Sequence, residues 1–292
     1  MDVELVGSSA QIQTLRKDLA ALAPYKCHVL INGPTGAGKE VAARMLHRLS
    51  PRRDGPFVQC DLNTLADGVI ESELFGHTRG AFTGAVVDRR GYFEEAHGGT
   101  LFLDEVGDAS PHTQRKLLQV LQNGIVKRVG EQRERRLDVR VVMATNADLR
   151  ALVTARKFRE DLYYRITEIE VRLPALAEHP DDIPELAFHY LGVKAREFGV
   201  VPPALTCAII SRLVAYDWPG NVRELIGAIT NLIVRGRLPA RVRRVGRDAR
   251  EWAGELLAAL KRNKGKVADA ARELRVSRQA VYRRMKREQI AG

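Results

Sequence analysis

The feature that most restricts the fold is a short apolar run that breaks into glycines. His28-Val29-Leu30-Ile31 is β-rich and ends in Asn32, Gly33-Pro34-Thr35-Gly36-Ala37-Gly38-Lys39-Glu40 follows, and a helix-forming stretch runs from Lys39 to about Leu49. A strand that hands G-x-x-x-x-G-K to a helix start has the pattern of a P-loop. In that arrangement backbone N–H groups curl around phosphates, the helix N-terminus adds partial positive charge, and Lys39 reaches the β- and γ-phosphates. Glu40 stands where a Ser or Thr usually supplies a magnesium ligand. A second apolar run, Thr100-Leu101-Phe102-Leu103, ends in Asp104-Glu105. A buried strand delivers both acids at its C-terminal end, beside the P-loop. Asp104 is then placed to organise magnesium, directly or through water, and Glu105 to activate an attacking water. A Gly-rich turn and a polar strand end are the plainer explanations of the two segments taken singly; their pairing favours a nucleotide site.

Phe57-Val58 opens a further strand and Val139-Arg140-Val141-Val142-Met143-Ala144 is another apolar run, so strands alternate with helices as in an α/β domain with a mainly parallel, buried sheet. From about Asp181 the pattern turns helical, with Ile183, Leu186, Ala187, Tyr190 and Leu191 at helical spacing and another helix starting near Asn221. Arg235-Gly236-Arg237-Leu238-Pro239-Ala240-Arg241 breaks that pattern and reads as the start of a linker. The expected division is residues 1–172 as an α/β nucleotide-binding subdomain, 173–236 as a helical lid, 237–248 as a linker, and 249–292 as a small helical domain. Charge follows the same division. The net charge is +11, yet residues 241–292 hold 16 Lys/Arg against 6 Asp/Glu, while the first 240 hold 31 against 30. A basic folded end on a nearly neutral body attracts nucleic acid. No apolar run is long enough for a membrane span, the N-terminus has no signal-peptide pattern, and Cys27, Cys60 and Cys207 are too scattered for a disulfide framework or metal site. These features place the chain in a reducing cytoplasm, with the three thiols in the core. His77, His97, His112 and His179 lack metal-ligand spacing and read as surface or capping residues.

Between the P-loop and the acidic strand lies Glu73-Leu74-Phe75-Gly76-His77-Thr78-Arg79-Gly80-Ala81-Phe82-Thr83-Gly84-Ala85. Gly80 to Ala85 reads GAFTGA, and the segment resembles the signature loop of the sigma-54-dependent activators, the bacterial enhancer-binding proteins. The resemblance implies an AAA+ P-loop ATPase with a helical lid, ATP and magnesium as ligands, and a loop whose Phe82 and Thr83 touch sigma-54, with Gly80, Ala81, Gly84 and Ala85 framing them. Further segments agree. Gly98 to Glu105 is similar to the Walker B strand, and Ala144-Thr145-Asn146 to sensor I, with Asn146 near the γ-phosphate. Phe158 to Arg165 is similar to the segment carrying the arginine fingers, so Arg159 and Arg165 would reach a neighbouring subunit's ATP. Trp218 to Leu225 resembles sensor II, with Arg223 facing the nucleotide, and Val6 and Gly7 lie where adenine contacts begin. Glu40 is usual in this family. Two departures stand out. Asp61 replaces a frequent Asn proposed to hold the catalytic Glu away from water, which would set two carboxylates, Asp61 and Glu105, together. Leu176-Ala177-Glu178-His179 replaces a more basic stretch.

Residues 266–286 fit a helix-turn-helix. Val267, Ala270, Ala271 and Leu274 share one face, Arg275-Val276 form the turn, and Ser277 is a natural N-cap. Arg278, Gln279, Tyr282, Arg283 and Lys286 would face outward into the major groove, with Ser277 beside them. The unit resembles the Fis-type DNA-binding domain of the same activators, although Gly is normal where Arg275 stands. The expected protein binds a two-fold upstream DNA site as a dimer, assembles into a ring that is a hexamer when active, and uses ATP hydrolysis to drive the sigma-54 polymerase closed complex open. The rivals are another AAA+ machine with a DNA-binding tail, disfavoured by Gly80 to Ala85, and a repressor whose ATPase fold is only a scaffold, disfavoured by Lys39, Asp104 and Glu105. The motor segment begins almost at Met1 with no receiver or ligand-sensing domain ahead of it. Control by a protein acting in trans, control by expression level, and an N-terminal domain outside this sequence all remain open.

Overall fold

The computed structural model describes residues 4–63 and 67–243, together with Arg262, Glu273 and Leu274. The chain divides into two compact units, Met1–Leu5 with Ala10–Ala175 and Val6–Ser9 with Leu176–Gly292.

Among the described residues the first unit has seven strands: β1 (Val29–Asn32), β2 (Phe57–Asp61), β3 (Thr100–Asp104), β4 (Ile125–Val126), β5 (Arg135–Arg136), β6 (Arg140–Thr145) and β7 (Glu170–Arg172). Five form one parallel sheet in the order β2-β3-β6-β1-β7, and β4 and β5 pair as a separate antiparallel hairpin. The central strands β1, β3 and β6 are mainly apolar because both of their faces are covered, and alternate residues serve different cores. Leu30, Leu101, Leu103, Val141 and Met143 enter one core; Val29, Ile31, Phe102, Val142 and Ala144 enter the other. Helices α1 (Ala10–Leu22) and α2 (Lys39–Arg48) cover the second face. The first is covered by α3 (Asp67–Phe75), α4 (Tyr92–Glu95), α5 (Pro111–Asn123), α6 (Leu149–Thr154) and α7 (Glu160–Ile166). Ser110 starts α5 by accepting the Thr113 N–H, and Asp148 starts α6 by accepting that of Ala151. Because the sheet is parallel, the C-terminal ends of β1, β3 and β6 emerge side by side, and those ends carry the polar residues singled out in the sequence.

The described part of the second unit is helical: α8 (Ile183–Phe198), α9 (Cys207–Val214) and α10 (Asn221–Arg235) close around Trp218, Leu225, Ile229 and Leu232. Trp218 and Asn221 both sit in left-handed backbone (φ 50 and 52), unusual for side chains of their size. The turn is held by Trp218 Nε1 donating to the Leu213 carbonyl (2.7 Å) and Asn221 Oδ1 accepting from the Leu176 N–H (2.8 Å). The stretch expected as linker differs as far as Arg243. Leu238 and Val242 are 3% and 1% exposed and belong to this core, so Gly236 and Pro239 bend the chain back onto the helices. No described helix is long and apolar enough to cross a membrane.

Candidate functional site

Lys39 opens α2 and is 6% exposed; its ammonium donates to the Gly33 carbonyl (3.1 Å) and pairs with Glu105 Oε1 (3.1 Å). Glu105 Oε2 accepts the Asn146 backbone N–H (3.0 Å), and the Asn146 side chain donates to the Thr35 hydroxyl (2.7 Å). Residues from three strand ends thus converge: the P-loop after β1, Glu105 after β3, and Asn146 after β6. Glu105 stands in left-handed backbone (φ 54), which turns the chain sharply behind Asp104. Asp104 accepts the Glu105 N–H (3.0 Å). Burial and the neighbouring Glu105 charge push its carboxyl above the usual range, against the opposing pull of Lys39, and Asp61 adds to the rise. A carboxylate so destabilised gains from a nearby dication.

Asp61, expected beside Glu105, stands next to the acid that precedes it, Asp104. It lies opposite Asp104 in the β2–β3 register and accepts the Asn63 N–H (2.9 Å), while the groups that hold Glu105 are Lys39 and Asn146. The charges of Glu105 and Asp61 both bear on the Asp104 carboxyl.

Arg159 caps α7, is 42% exposed, and pairs with Asp161 two residues on (2.7 Å). Arg165 is held more deeply, donating to the Leu121 carbonyl (3.0 Å) and to Glu168 (2.7 Å). In the second unit Arg223 lies exposed in the first turn of α10. Gly7 there stands so close to Asp182 that a Cβ would meet Oδ2 at 2.7 Å. Asp182, fully buried, also accepts the N–H groups of Ser8 (2.7 Å) and Ser9 (2.8 Å) and bonds His179 Nδ1 (3.0 Å). Burial pushes the Asp182 carboxyl up, but the hydrogen bonds from His179, Ser9 and Ser8 outweigh it and hold the group below its ordinary value. Sequence reasoning missed this anchor of the Val6-Gly7 segment. The signal was an acid three residues after a histidine, and its partners lie more than 170 residues away.

The Gly80–Ala85 loop rises between α3 and α4. The Gly80 N–H donates to the Ala85 carbonyl (2.8 Å), and the Ala85 N–H to that of Phe82 (3.0 Å), a tight turn with Thr83 and Gly84 at its tip. Gly80 and Gly84 have φ of 78 and 102, and a Cβ on either would meet nothing within 4 Å. Glycine is needed here for backbone handedness, not for space. Phe82 is 45% exposed, its ring edge-on to His77 at 5.0 Å between centroids. His77, expected at the surface, is 8% exposed, bonds Ser72 Oγ (2.6 Å) and bridges to both Arg89 and Val129. His179 is likewise buried. His97 and His112 are exposed; His97 accepts the Asp138 N–H (3.1 Å) and His112 pairs with Glu71. Of the thiols only Cys60 is fully in the core, where burial pushes it up to about 12; Cys27 and Cys207 are half-buried.

Ser277, Arg278, Gln279, Tyr282, Arg283 and Lys286 lie outside the described residues, as does residue 275 in the expected turn. Arg262 donates to Glu273 through Nε (3.0 Å) and Nη2 (2.6 Å).

Comparison with known proteins bears on the same segments. The family model described as the sigma-54 interaction domain matches residues 5–172, an AAA+ ATPase lid domain matches 177–238, and a bacterial regulatory protein, Fis family, matches 253–287. The C4-dicarboxylate transport transcriptional regulatory protein DctD of Pseudomonas aeruginosa is 50% identical over 224 residues, 77% of this chain and 48% of that one. The transcriptional regulatory protein ZraR of Salmonella typhimurium is 40% identical over 302 residues, 97% of this chain and 68% of that one. The chain thus spans about half the length of the first relative and about two thirds of the second. NtrX from Brucella abortus, solved in complex with ADP, superposes with a TM-score of 0.77 at 32% identity, covering 98% of this chain and 70% of that one. The same protein in complex with ATP gives 0.77 at 33%, covering 97% and 69%. By the match over 5–172 and by these identities, the chain belongs to the sigma-54-interaction family of AAA+ ATPases, with the family's lid and a Fis-type helix-turn-helix unit.

Proposed function

We propose that the chain is an ATP-driven activator of sigma-54 RNA polymerase, which binds upstream DNA through its C-terminal unit and turns the closed promoter complex into an open one. What carries the reading is one continuous path in the first unit. The Gly80–Ala85 loop leads through α4 into β3, and β3 ends in the acids beside Lys39. The solved NtrX complexes with ADP and ATP support nucleotide binding at the same fold.

The P-loop from Gly33 to Glu40 receives the phosphates, with Lys39 on the β- and γ-oxygens. A phosphate oxygen at Lys39 competes with Glu105 for the ammonium, and the freed carboxylate polarises the attacking water. Asn146 orients from the γ-phosphate side, Val6 and Gly7 border the adenine, and Arg223 closes from the lid. Among the described residues no cluster of three or more His, Cys, Asp or Glu could hold a metal alone. Magnesium does not need one, since it is held by one or two carboxylates plus substrate phosphates. The buried Asp104 carboxylate fits that role, and the ion would supply neutralisation of phosphate charge there. Arg159 and Arg165 act in trans within a ring, a hexamer when active, on chains that pair as dimers on DNA. Ser277, Arg278, Gln279, Tyr282, Arg283 and Lys286 make the DNA contacts. The test is a native gel with ADP, aluminium fluoride and sigma-54. A shifted complex that disappears with Thr83→Ala supports the reading. An active ATPase that shifts no sigma-54 moves the chain to a different AAA+ machine.

A further inference from the structure

We propose that the surface sigma-54 offers to this loop is an acidic, amphipathic protein segment, an apolar strip bounded by carboxylates. The proposal rests on the sigma-54 reading and deepens it. The loop's apolar tip does not end with the six-residue signature. Phe82 is 45% exposed, Val86 73% and Val87 65%. The Val86 N–H donates to the Gly84 carbonyl (2.9 Å), so the two valines ride on the same turn as Thr83. Two consecutive β-branched side chains left in water beside a half-exposed phenylalanine make an apolar patch, and such patches mark contact sites.

The charge around that tip is one-sided. Residues 76–91 and 124–136 hold eight Lys/Arg against three Asp/Glu, in a body whose first 240 residues hold 31 against 30. Half of the eight are neutralised within the protomer: Arg89 by Glu73, Lys127 by Glu134, Arg128 by Glu94, and Arg135 by Glu131. Arg79, Arg90, Arg133 and Arg136 are exposed and have no ion pair among the described residues. Backbone bonds tie the two segments together. The Thr78 N–H donates to the Val129 carbonyl (3.1 Å), and the Val129 N–H to that of Gly76 (2.8 Å). Gly130 sits so near the loop that a Cβ there would meet the Ala81 Cβ at 2.7 Å. The β4–β5 hairpin and its arginines therefore flank the signature loop.

An apolar centre with an unpaired cationic rim matches the anatomy of a protein interface. The centre excludes water and supplies affinity, and the rim steers the encounter and fixes register. A duplex DNA backbone would use the same arginines but leave three apolar side chains against phosphates, which contribute nothing to such contacts.

The test uses the full chain with sigma-54 holoenzyme and no DNA, trapped with ADP and aluminium fluoride. The variants are Val86→Ser/Val87→Ser, Arg133→Glu/Arg136→Glu and, as an independent charge reversal, Arg79→Glu/Arg90→Glu, each first shown to unfold at the parent's midpoint. The serine pair is expected to weaken capture about tenfold or more at every salt concentration. The charge reversals are expected to weaken it about tenfold at low salt and little at high salt. Parent-strength capture by all three variants overturns the proposal while sigma-54 stands as partner. A loss on charge reversal that appears only when promoter DNA is added assigns the arginines to DNA and also overturns it. A parent that hydrolyses ATP yet captures no sigma-54 removes the partner, and the proposal with it.

Discussion

Glu105 combines three costs that a structural residue would avoid: left-handed backbone, burial, and a second acid next to it in sequence. The backbone alone costs a non-glycine residue roughly 1–2 kcal/mol. Glu105→Gln preserves the shape and removes the charge. Hydrolysis is expected to fall by about 10²–10⁴-fold, while nucleotide titration shows binding retained or tightened, because the phosphates no longer compete with a carboxylate for Lys39. Equal loss of hydrolysis and binding would mean that Glu105 serves the fold alone. Asp104 carries the opposite electrostatic burden. Burial, Glu105 and Asp61 raise its folded pKa against the pull of Lys39, so the folded chain binds a proton that the unfolded chain has released. Its contribution to stability is therefore greatest below the ordinary value of 3.8 and is lost as pH rises through the elevated one. Asp104→Asn should flatten that decline and raise the melting temperature at neutral pH while magnesium-dependent hydrolysis collapses. Thermal scans from pH 4 to 8 check it; a variant that melts below its parent at pH 7 would show that the carboxylate stabilises the site instead.

The elements that a sequence announces are those whose signals are local. β1, β3 and β6 were legible as apolar runs ending at polar residues, α2 as the continuation of a P-loop, and the signature loop as an uninterrupted six-residue match. What escaped depends on partners far along the chain. Arg140 sits inside an apolar run yet is 2% exposed, tolerated because its guanidinium donates to the Ala23 (2.9 Å) and Leu22 (3.0 Å) carbonyls at the end of α1. His77 looked like a surface histidine until the hairpin closed over it, and Pro239 looked like a linker residue until Leu238 and Val242 found the helical core. Asp182 is the sharpest case. It stands just ahead of α8 and fixes the segment that carries Val6 and Gly7 through bonds to Ser8 and Ser9. Asp182→Ala strands two backbone donors and His179, and is expected to cost about 2–4 kcal/mol. Its folded pKa is depressed, so the parent's advantage is fully present above the unfolded value near 3.8 and shrinks as pH falls through the folded one. Denaturant titrations of parent and variant at pH 7 and pH 3 measure the difference; a gap that does not narrow in acid would mean that the carboxylate's charge is not what holds the segment.

Across the molecule, charge is unevenly distributed along the chain, and the catalysis proposed above draws on more than one protomer. The basic surplus lies in residues 241–292 of the sequence, while the first 240 residues are nearly neutral, a distribution that fits the DNA-binding role proposed for the C-terminal unit. Within the motor, the two arginines proposed to act in trans are not equivalent. Arg159 is exposed, and its ion pair with Asp161 is a short-range surface contact that water and salt readily replace. Arg165 is anchored to the Leu121 carbonyl and Glu168 inside its own protomer, so removing it disturbs the fold as well as any interface. Arg159 is accordingly the one to test by complementation. Arg159→Ala and Glu105→Gln protomers should each be inactive alone. Mixed in equal amounts in a ring, they create interfaces where an intact Arg159 meets an intact Glu105, and activity should return to about a quarter of the parent's if subunits exchange at random. Arg165→Ala should return less in the same mixture and melt at a lower temperature than the parent. Activity that stays at zero in the Arg159 mixture, with rings formed and both variants binding nucleotide, would place Arg159 in cis and leave the neighbouring subunit no part in hydrolysis.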